Sequence, residues 1–522
     1  MEPLVTQTPR KARLSVLLEG ISRIEAANDR DIHGLSLDSR RTRPGDLFLA
    51  CSGLIRNGHE FIEHAIRAGA VAVVFETAPS GDQESLELHN SSIKTTSVPL
   101  IGVAGLRQQV GIIASRFYDH PSHDLFVIGI TGTNGKTTCC NFIAEALTSP
   151  EHACGVIGTL GYGVYGSLQP GKHTTPDAIT LQSLLADMRR QGVKTVVMEV
   201  SSHGLDQGRV TGTSFDAAVF TNLSHDHLDY HGDLSAYALA KQQLFEMPQL
   251  KFAVINADDE YGRRLIEVLP TGVVTMLYSV IVAQTGNDDG TSRHLRLPGI
   301  TGTIIRMDNS GLEMQVTTPR GRARIQSPVL GRFNASNLLA TLAMLLLTDM
   351  PLNEAVRKLK AIHMVPGRME HFRGNRHQPL VVVDYAHSPD ALKQVLQTLR
   401  EHCRGNLWCV FGCGGDRDRA KRPLMGAIAE DYADHVVITD DNPRFENAGQ
   451  IITDILAGMQ AQDAVTVVHD RGEAITHAVR QATADDIVLI AGKGHEEYQL
   501  VGDQRFSFSD RCQVDHLLKE VA

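Results

Sequence analysis

The sequence predicts an α/β protein of three domains, and three observations lead there. At 522 residues the chain is long enough for roughly three units of about 150 residues each. Short apolar runs of strand length recur along it, separated by helix-like stretches, as in mostly parallel sheets covered by helices. One such run ends in a glycine- and threonine-rich loop, residues 130–138, that opens directly into a helix-like stretch.

The elements follow in order. Within residues 14–76, Phe48–Ala50 and Ala70–Phe75 read as buried strands. The polar stretch Thr77–Ser97, with Pro79 and Gly81, reads as a loop, and a border is expected near residues 98–106. Leu125–Ile130 reads as a strand, followed after the loop by a helix to Leu147. Further strands are expected at Thr195–Val200, Ala217–Phe220 and Phe252–Ile255, and an exposed loop at Gln284–His294. After residue 364 the alternation restarts, with strands at Leu380–Val383, Leu407–Phe411, His435–Thr439 and Ile487–Ile490. The expected domains are 1–105, 106–364 and 365–522. No repeat of 20–50 residues and no low-complexity tract is present.

Composition narrows the class. Hydrophobic residues at 42% and charged residues at 21% are the balance of an ordinary globular protein. A net charge of -10 argues against a nucleic-acid partner. None of the eight cysteines forms a CxxC pair or shows zinc-ligand spacing, and most lie in apolar runs, which points to a reducing compartment. Met1–Arg13 lacks the apolar core of a signal peptide, and the longest apolar run, Leu338–Leu347 broken by Thr341, is too short for a bilayer. The expectation is a cytoplasmic monomer without membrane insertion.

The loop Thr131-Gly132-Thr133-Asn134-Gly135-Lys136-Thr137-Thr138 has the chemistry of a phosphate cradle. Glycines let backbone N–H groups approach phosphate, and the helix N-terminus adds a favourable dipole. Lys136 can reach the β- and γ-phosphates, and the Thr137 hydroxyl can ligate Mg²⁺. The general pattern GxxxxGK[ST] places glycine at position 130, where this chain has Ile130. The alternative, a glycine-rich turn with an incidental lysine, does not explain the strand–loop–helix setting. Glu199 ends the apolar run before Ser201-Ser202-His203, a suitable place for a Mg²⁺ ligand at the carboxyl end of a strand. Standing alone, such a glutamate is as often a surface charge. A second strand ends in Thr221-Asn222-Leu223-Ser224-His225-Asp226-His227-Leu228-Asp229-Tyr230-His231. This run suggests the HxHxDH motif of metallo-β-lactamase-type hydrolases, but Tyr230 breaks that spacing and the phosphate loop would be left unexplained. Lys241 lies on the helix-like stretch Ala236–Phe245 and by itself would be a solvated helix lysine.

The variant loop and the string from Asn222 to Phe245 resemble the Mur ligase family, and the resemblance covers about residues 30–515. It implies a UDP-binding N-terminal domain, a central P-loop ATPase domain with a mostly parallel sheet, and a Rossmann-like C-terminal domain. It implies that Lys241 is carboxylated by CO₂ to N6-carboxylysine, and that His227, Glu199, Thr137 and the modified lysine hold Mg²⁺. Catalytic residues would be Lys136, Glu199, His227 and Lys241. ATP, the co-substrate, would be held by Gly132, Thr133, Asn134, Gly135, Lys136, Thr137 and Thr138. Asn334 in the segment Phe333–Asn337 would join them, with Arg368 of Pro366–Glu370 and Asp384 of Asp384–Asp390. Helix capping is the plainer reading of Asn334. Leu37 and Ser39, with Leu54, Ile55 and Arg56, would hold the UDP part, although the last three are not family-typical. His173, Thr174, Thr175, Ser201, Gln207 and Arg209 would hold the muramoyl-dipeptide. His173 stands where the family often has asparagine.

The glycine-rich run Phe411–Arg419 lacks full GxGxxG spacing, so a dinucleotide site is a weak reading. Asp441-Asn442-Pro443-Arg444 and Gly492-Lys493-Gly494-His495-Glu496 resemble motifs of the diaminopimelate-adding branch of the family. Arg417, Asp441, Asn442, Pro443, Arg444, Gly492 and Glu496 would then contact meso-diaminopimelate. The chemistry is coherent. A guanidinium fork fits the distal carboxylate bidentately and repels the ammonium that lysine would offer there. The implied activity is ATP-dependent addition of meso-diaminopimelate to UDP-MurNAc-L-Ala-D-Glu through an acyl phosphate, a step of peptidoglycan precursor synthesis. A lysine-adding sister enzyme fits all but the DNPR segment. Folylpolyglutamate synthase shares the loop but not the N-terminal motifs. A non-catalytic nucleotide-dependent module would leave Lys136, Glu199, His227 and Lys241 without a task.

Overall fold

The structure, a computed structural model, describes residues 10–52, 57–77, 97–281, 299–308 and 311–520. The expected loop at Gln284–His294, and all of that at Thr77–Ser97 but its end residues, lie outside them. The chain divides into two compact units, Met1–Leu277 and Tyr278–Ala522.

The first unit begins with a parallel sheet in the order Gly34–Ser36, Asp46–Ala50, Ala72–Thr77, Leu100–Ala104. Alternate residues of its strands serve two cores, as period-two geometry requires. Leu47, Leu49, Ala72 and Val74 pack with Leu106, Val110, Ile113 and Phe117 of the helix Leu106–Phe117. Phe48, Ala50, Val73 and Phe75 pack with Ile62 and Ala65. Residues 98–106, where the sequence suggests a border, thus contain the fourth strand and lead into a helix of the same core.

The larger sheet of this unit has the parallel series Cys154–Gly158, Thr195–Glu199, Phe126–Thr131, Ala217–Phe220 and Phe252–Asn256, with each strand beside the next. An antiparallel hairpin, Gly161–Val164 and Ser167–Gln169, extends one edge. The central strands are buried throughout except at Phe126, the first residue of its strand, which is why they read as continuous apolar runs rather than alternating ones.

The second unit holds an antiparallel meander, Gly299–Asp308, Gly311–Thr318 and Gly321–Ser327. The helix Arg332–Leu347 follows, buried almost all round, as its uninterrupted leucine-rich sequence demands. The remaining sheet runs Glu370–Arg373, Leu380–Asp384, Ile487–Ala491, Leu407–Phe411, His435–Ile438, Thr466–Val467, parallel except for its first strand. Leu380, Val382, Cys409, Phe411 and Leu489 face one core, and Val381, Val383, Trp408, Val410 and Ile490 the other. This is the doubly wound, Rossmann-like arrangement, with ligand-bearing loops expected at the carboxyl ends of the strands. No helix among the described residues is long and apolar enough to cross a membrane.

Candidate active site

In the first unit, the strands Phe126–Thr131, Thr195–Glu199, Ala217–Phe220 and Cys154–Gly158 deliver their carboxyl ends to one place. The loop after Thr131 turns through Gly132, with φ 147°, and Gly135, with φ 83°. A Cβ on Gly132 would come within 1.9 Å of Thr221 Oγ1, so glycine is needed for space as well as for backbone angle. The amides of Thr133 and Asn134 donate to Asn222 O at 2.8 Å and Asn222 Oδ1 at 2.9 Å, fastening the loop to the neighbouring strand end. Lys136 begins the helix Lys136–Leu147 and folds back onto Gly132 O at 2.7 Å and Thr133 O at 2.8 Å.

Glu199 is buried at the end of its strand. Its Oε2 accepts from Thr137 Oγ1 at 2.9 Å, and its Oε1 from the Thr159 amide at 2.7 Å. A carboxylate and a hydroxyl so placed beside a phosphate loop form a hard-oxygen pair, which fits Mg²⁺ that draws its other ligands from phosphate and water. Among the described residues no three His, Cys, Asp or Glu side chains group as a metal site, so Glu199 and His227 do not share such a cluster.

Lys241, on the helix Leu234–Gln242, is 1% exposed. Its Nζ donates to Gly132 O at 2.9 Å and lies 4.2 Å from the centre of the Tyr237 ring. Burial, with the nearby charge of Lys136, holds its ammonium well below the usual lysine range, and Asp226 opposes this only in part. His227 has a left-handed φ of 55° and packs edge-on against His203, with ring centres 4.8 Å apart, and 6.3 Å from Tyr237. It therefore reaches the Lys241 region through the tyrosine ring.

Behind Glu199, Thr175 Oγ1 donates to Glu199 O and accepts from the Ser201 amide, both at 2.9 Å. Arg209 donates to Thr175 O at 2.9 Å and to Gln207 Oε1 at 3.0 Å. Thr174 meets Thr159, hydroxyl to hydroxyl, at 3.1 Å. His173 is tied by its backbone to Tyr162 rather than by its ring. Thr159 and Tyr230 were not among the sequence candidates. Thr159 follows a strand end, a position the strand-end rule could have flagged, and the Tyr230 hydroxyl accepts from Gln207 Nε2 and donates to Asp206. Elsewhere in this unit Leu37 and Ser39 lie just past the strand Gly34–Ser36, Ser39 buried and Leu37 exposed. Between them Asp38 is held by Arg40 at 2.7 Å, which brings its carboxyl down to about 2. Leu54, Ile55 and Arg56 lie outside the described residues.

In the second unit, four consecutive carboxyl-end loops carry the expected motifs. Asp384 is buried and accepts from the amides of Met369 and Ala386 at 2.8 Å. Desolvation raises its pKa although Arg368 and these amides oppose it. The Arg368 guanidinium lies 4.7 Å from the centre of the Tyr385 ring. Asn334 does not cap its helix. The cap position is Gly331, and Asn334 Nδ2 donates back to Leu330 O at 2.9 Å while its Oδ1 accepts from Asn337. Arg444 has φ 51° and donates from Nη1 to Gly415 O at 2.8 Å. A Cβ on Gly414 would stand 2.8 Å from that Nη1 and 3.8 Å from Arg417 Cγ, so the two arginines flank this glycine. The buried Asn442 donates from Nδ2 to Glu496 Oε2 at 3.0 Å, joining the two motifs. Gly492, with φ 114°, leaves room for Asp441, whose Oδ2 would lie 2.6 Å from a Cβ there. Pro443 is buried within this turn. Arg422 lies beneath it, wholly buried, and binds Glu446 at 2.9 Å and Asp454 at 2.8 Å. Glu446 in turn accepts from the Asp416 amide beside Arg417.

The chain matches family models along most of its length. These are the Mur ligase family catalytic domain at residues 31–118, the Mur ligase middle domain at 130–345 and the Mur ligase glutamate ligase domain at 367–494. It is 48% identical over 497 residues to the UDP-N-acetylmuramoyl-L-alanyl-D-glutamate--2,6-diaminopimelate ligase of Coxiella burnetii, covering 95% of this chain and 97% of the relative. It is also 48% identical over 495 residues to the protein of the same name from Pseudomonas aeruginosa, covering 95% and 96%. A solved structure of a ligase of that name superposes with a TM-score of 0.68 at 36% identity, over 98% of this chain and 99% of the other. A folylpolyglutamate synthase of Mycobacterium tuberculosis shares the fold alone, with a TM-score of 0.56 at 20% identity over 74% and 92% of the two chains. With the phosphate loop, Glu199 and the buried Lys241 set as described, the chain belongs to the Mur ligase family.

Proposed function

We propose that this enzyme adds meso-2,6-diaminopimelate to UDP-MurNAc-L-Ala-D-Glu, converting ATP to ADP and phosphate. The observation that carries the reading is the paired arms of the second unit. Arg417 and Arg444 flank Gly414, while Asp441 and Glu496 are drawn together by Asn442 and Lys493. A distal centre bearing one carboxylate and one ammonium calls for both arms.

The D-Glu γ-carboxylate attacks the γ-phosphate, ADP leaves, and an acyl phosphate forms. The diaminopimelate amine then attacks the acyl carbon and expels phosphate, losing its proton. Two anions meet in the first step, so a cation must stand where charge builds up. Lys136 is assigned that task, together with the amides of Gly135, Lys136, Thr137 and Thr138 at the start of the helix. Bound Mg²⁺ would neutralise phosphate charge, one ion held by Glu199 and Thr137 with phosphate and water, and a second supported by His227 and the carboxylated Lys241. Burial lowers the Lys241 pKa and so favours the neutral amine, the form able to take up CO₂. Thr174, Thr175, Ser201, Gln207 and Arg209, with His173, are assigned to the muramoyl-dipeptide, and Leu37 and Ser39 to the UDP end. Asn334, Arg368 and Asp384 are assigned to the nucleotide. In this reading residues 1–105, 106–364 and 365–522 serve the UDP-substrate, ATP and the amino acid respectively, in a cytoplasmic monomer.

The test is a ligation assay with ATP, UDP-MurNAc-L-Ala-D-Glu and, in turn, meso-diaminopimelate, L-lysine and glutamate. Efficient product formation is expected with meso-diaminopimelate alone. A preference for either other amino acid refutes the reading.

A further inference from the structure

Lys493 lies in the second unit, within the second of the two amino-acid motifs, and takes no step in the reaction as derived above. Its side chain is 0% exposed. Nζ donates to Asn442 Oδ1 at 3.0 Å and to Glu496 Oε2 at 3.3 Å, and Asp441 Oδ1 lies 3.7 Å away. Asn442 completes the network, since its Nδ2 also donates to Glu496 Oε2 and its Oδ1 also accepts from the Leu500 amide at 2.9 Å. Both donors thus fall on one oxygen of Glu496. The other, Oε1, accepts no hydrogen bond among the described residues. A buried ammonium is costly to desolvate, and the cost is offset here by the carboxylates and the amide oxygen it meets. The charge is explained by what it holds in place.

We propose that Lys493 is a positioning residue for amino-acid selection. It fixes Glu496 so that Oε1 is presented to the distal ammonium of a diamino-dicarboxylate substrate. It also offsets one of two adjoining carboxylates, Asp441 and Glu496. The trio is left with a net charge of about -1, matched to a single ammonium. This rests on the amino-acid site proposed above.

The test compares meso-diaminopimelate with 2-aminopimelate, which keeps the reacting amine and the distal carboxylate but lacks the distal amine. Wild type should favour meso-diaminopimelate strongly in kcat/KM. In Lys493→Met that preference should fall by about 10- to 100-fold, the worth of one charge-assisted hydrogen bond. The fall should come through KM for meso-diaminopimelate, with use of 2-aminopimelate and KM for ATP little changed. If Lys493→Met does not hold its fold, Lys493→Leu, which likewise removes both the donor and the charge, carries the same measurement. Equal losses for both amino acids, or an undiminished preference, would overturn the role of Lys493. A wild type indifferent to the distal amine would instead overturn the reading of the site on which it rests.

Discussion

Arg444→Ala is the sharpest test of substrate choice. The residue has φ 51°, held by its amide on Leu500 O at 3.0 Å and its carbonyl on the Gly502 amide at 2.7 Å. Alanine carries the same left-handed penalty as arginine, so the substitution leaves backbone strain unchanged and removes only the side chain. One guanidinium nitrogen, Nη1, is bound to Gly415 O, while Nη2 and Nε make no hydrogen bond among the described residues and can form the fork for a distal carboxylate. Two charge-assisted hydrogen bonds at about 1.5–3 kcal/mol each give about 3–6 kcal/mol at full burial. Arg444 is only half-buried, so the lower end applies, and kcat/KM for meso-diaminopimelate should fall roughly 10- to 1000-fold. Arg444→Lys should not restore it fully, because a point charge lacks the planar fork. Discrimination against L-lysine should weaken, since its ammonium is no longer repelled. The assay is kcat/KM for both amino acids in wild type and both variants. A wild type that prefers L-lysine, or an alanine variant with its full preference for meso-diaminopimelate, refutes the reasoning.

Three further outcomes are expected. Lys136→Ala should abolish acyl-phosphate formation and leave the fold intact, because the half-buried side chain bonds the carbonyls of Gly132 and Thr133 rather than filling a core, and its use is in charge stabilisation. Rapid-quench trapping that still finds wild-type amounts of acyl phosphate would remove the loop from the chemistry. Lys241→Ala should be nearly inactive and partly rescued by short carboxylates, and wild type with carbon-13 bicarbonate should show a carbamate signal by NMR; a plain ammonium in metal-loaded enzyme counts against the modification. With CO₂ removed, the depressed Lys241 pKa means the unfolded chain binds more protons, so stability should rise with pH toward the ordinary value of 10.5, and Lys241→Met should lose that slope in denaturation curves. Arg471→Met should destabilise the protein by about 3–5 kcal/mol in urea unfolding, because Asp510, bound by Arg471 at 2.7 Å with both side chains 0% exposed, would be left as a buried unpaired charge; a change under about 1 kcal/mol would show that the pair is dispensable.

Much of the fold was legible because its central strands are buried on both faces and appear as unbroken apolar runs. Ala217–Phe220 and Leu407–Phe411 have the bounds the sequence predicts. Leu100–Ala104 was less legible, since a five-residue run after a long polar stretch looks like a border. Only its pairing with Ala72–Thr77 identifies it as sheet. Strand ends were legible as sites because carboxyl ends of parallel strands gather ligands, and Glu199, Thr131 and Asp384 all occupy such ends. Thr159 and Lys493 were not singled out. Their partners, Glu199 in one case and Asn442 with Glu496 in the other, are 40, 51 and 3 residues away, and a hydroxyl or an ammonium in a glycine-rich turn has no periodicity to mark it.

The motifs name two lysines of the first unit, Lys136 and Lys241, but burial distinguishes their tasks. Lys136 and Lys241 converge on the same carbonyl, Gly132 O, at 2.7 and 2.9 Å. Lys136 is partly exposed at the start of a helix and can swing toward a phosphate. Lys241 has no such exit, with Tyr237 against its ammonium and 1% of its surface exposed. Two ammonium groups around one carbonyl repel each other, and the one shut away from water has its pKa lowered the more. Burial first, and the charge of Lys136 after it, therefore favour the neutral amine that CO₂ uptake at Lys241 requires on the proposed reading. Once carboxylated on the proposed reading, Lys241 turns from a rival cation into an anion beside Lys136, and repulsion becomes attraction. Replacing Lys136 should accordingly lower the extent of Lys241 carboxylation as well as the rate of phosphoryl transfer, a coupling between two residues 105 positions apart.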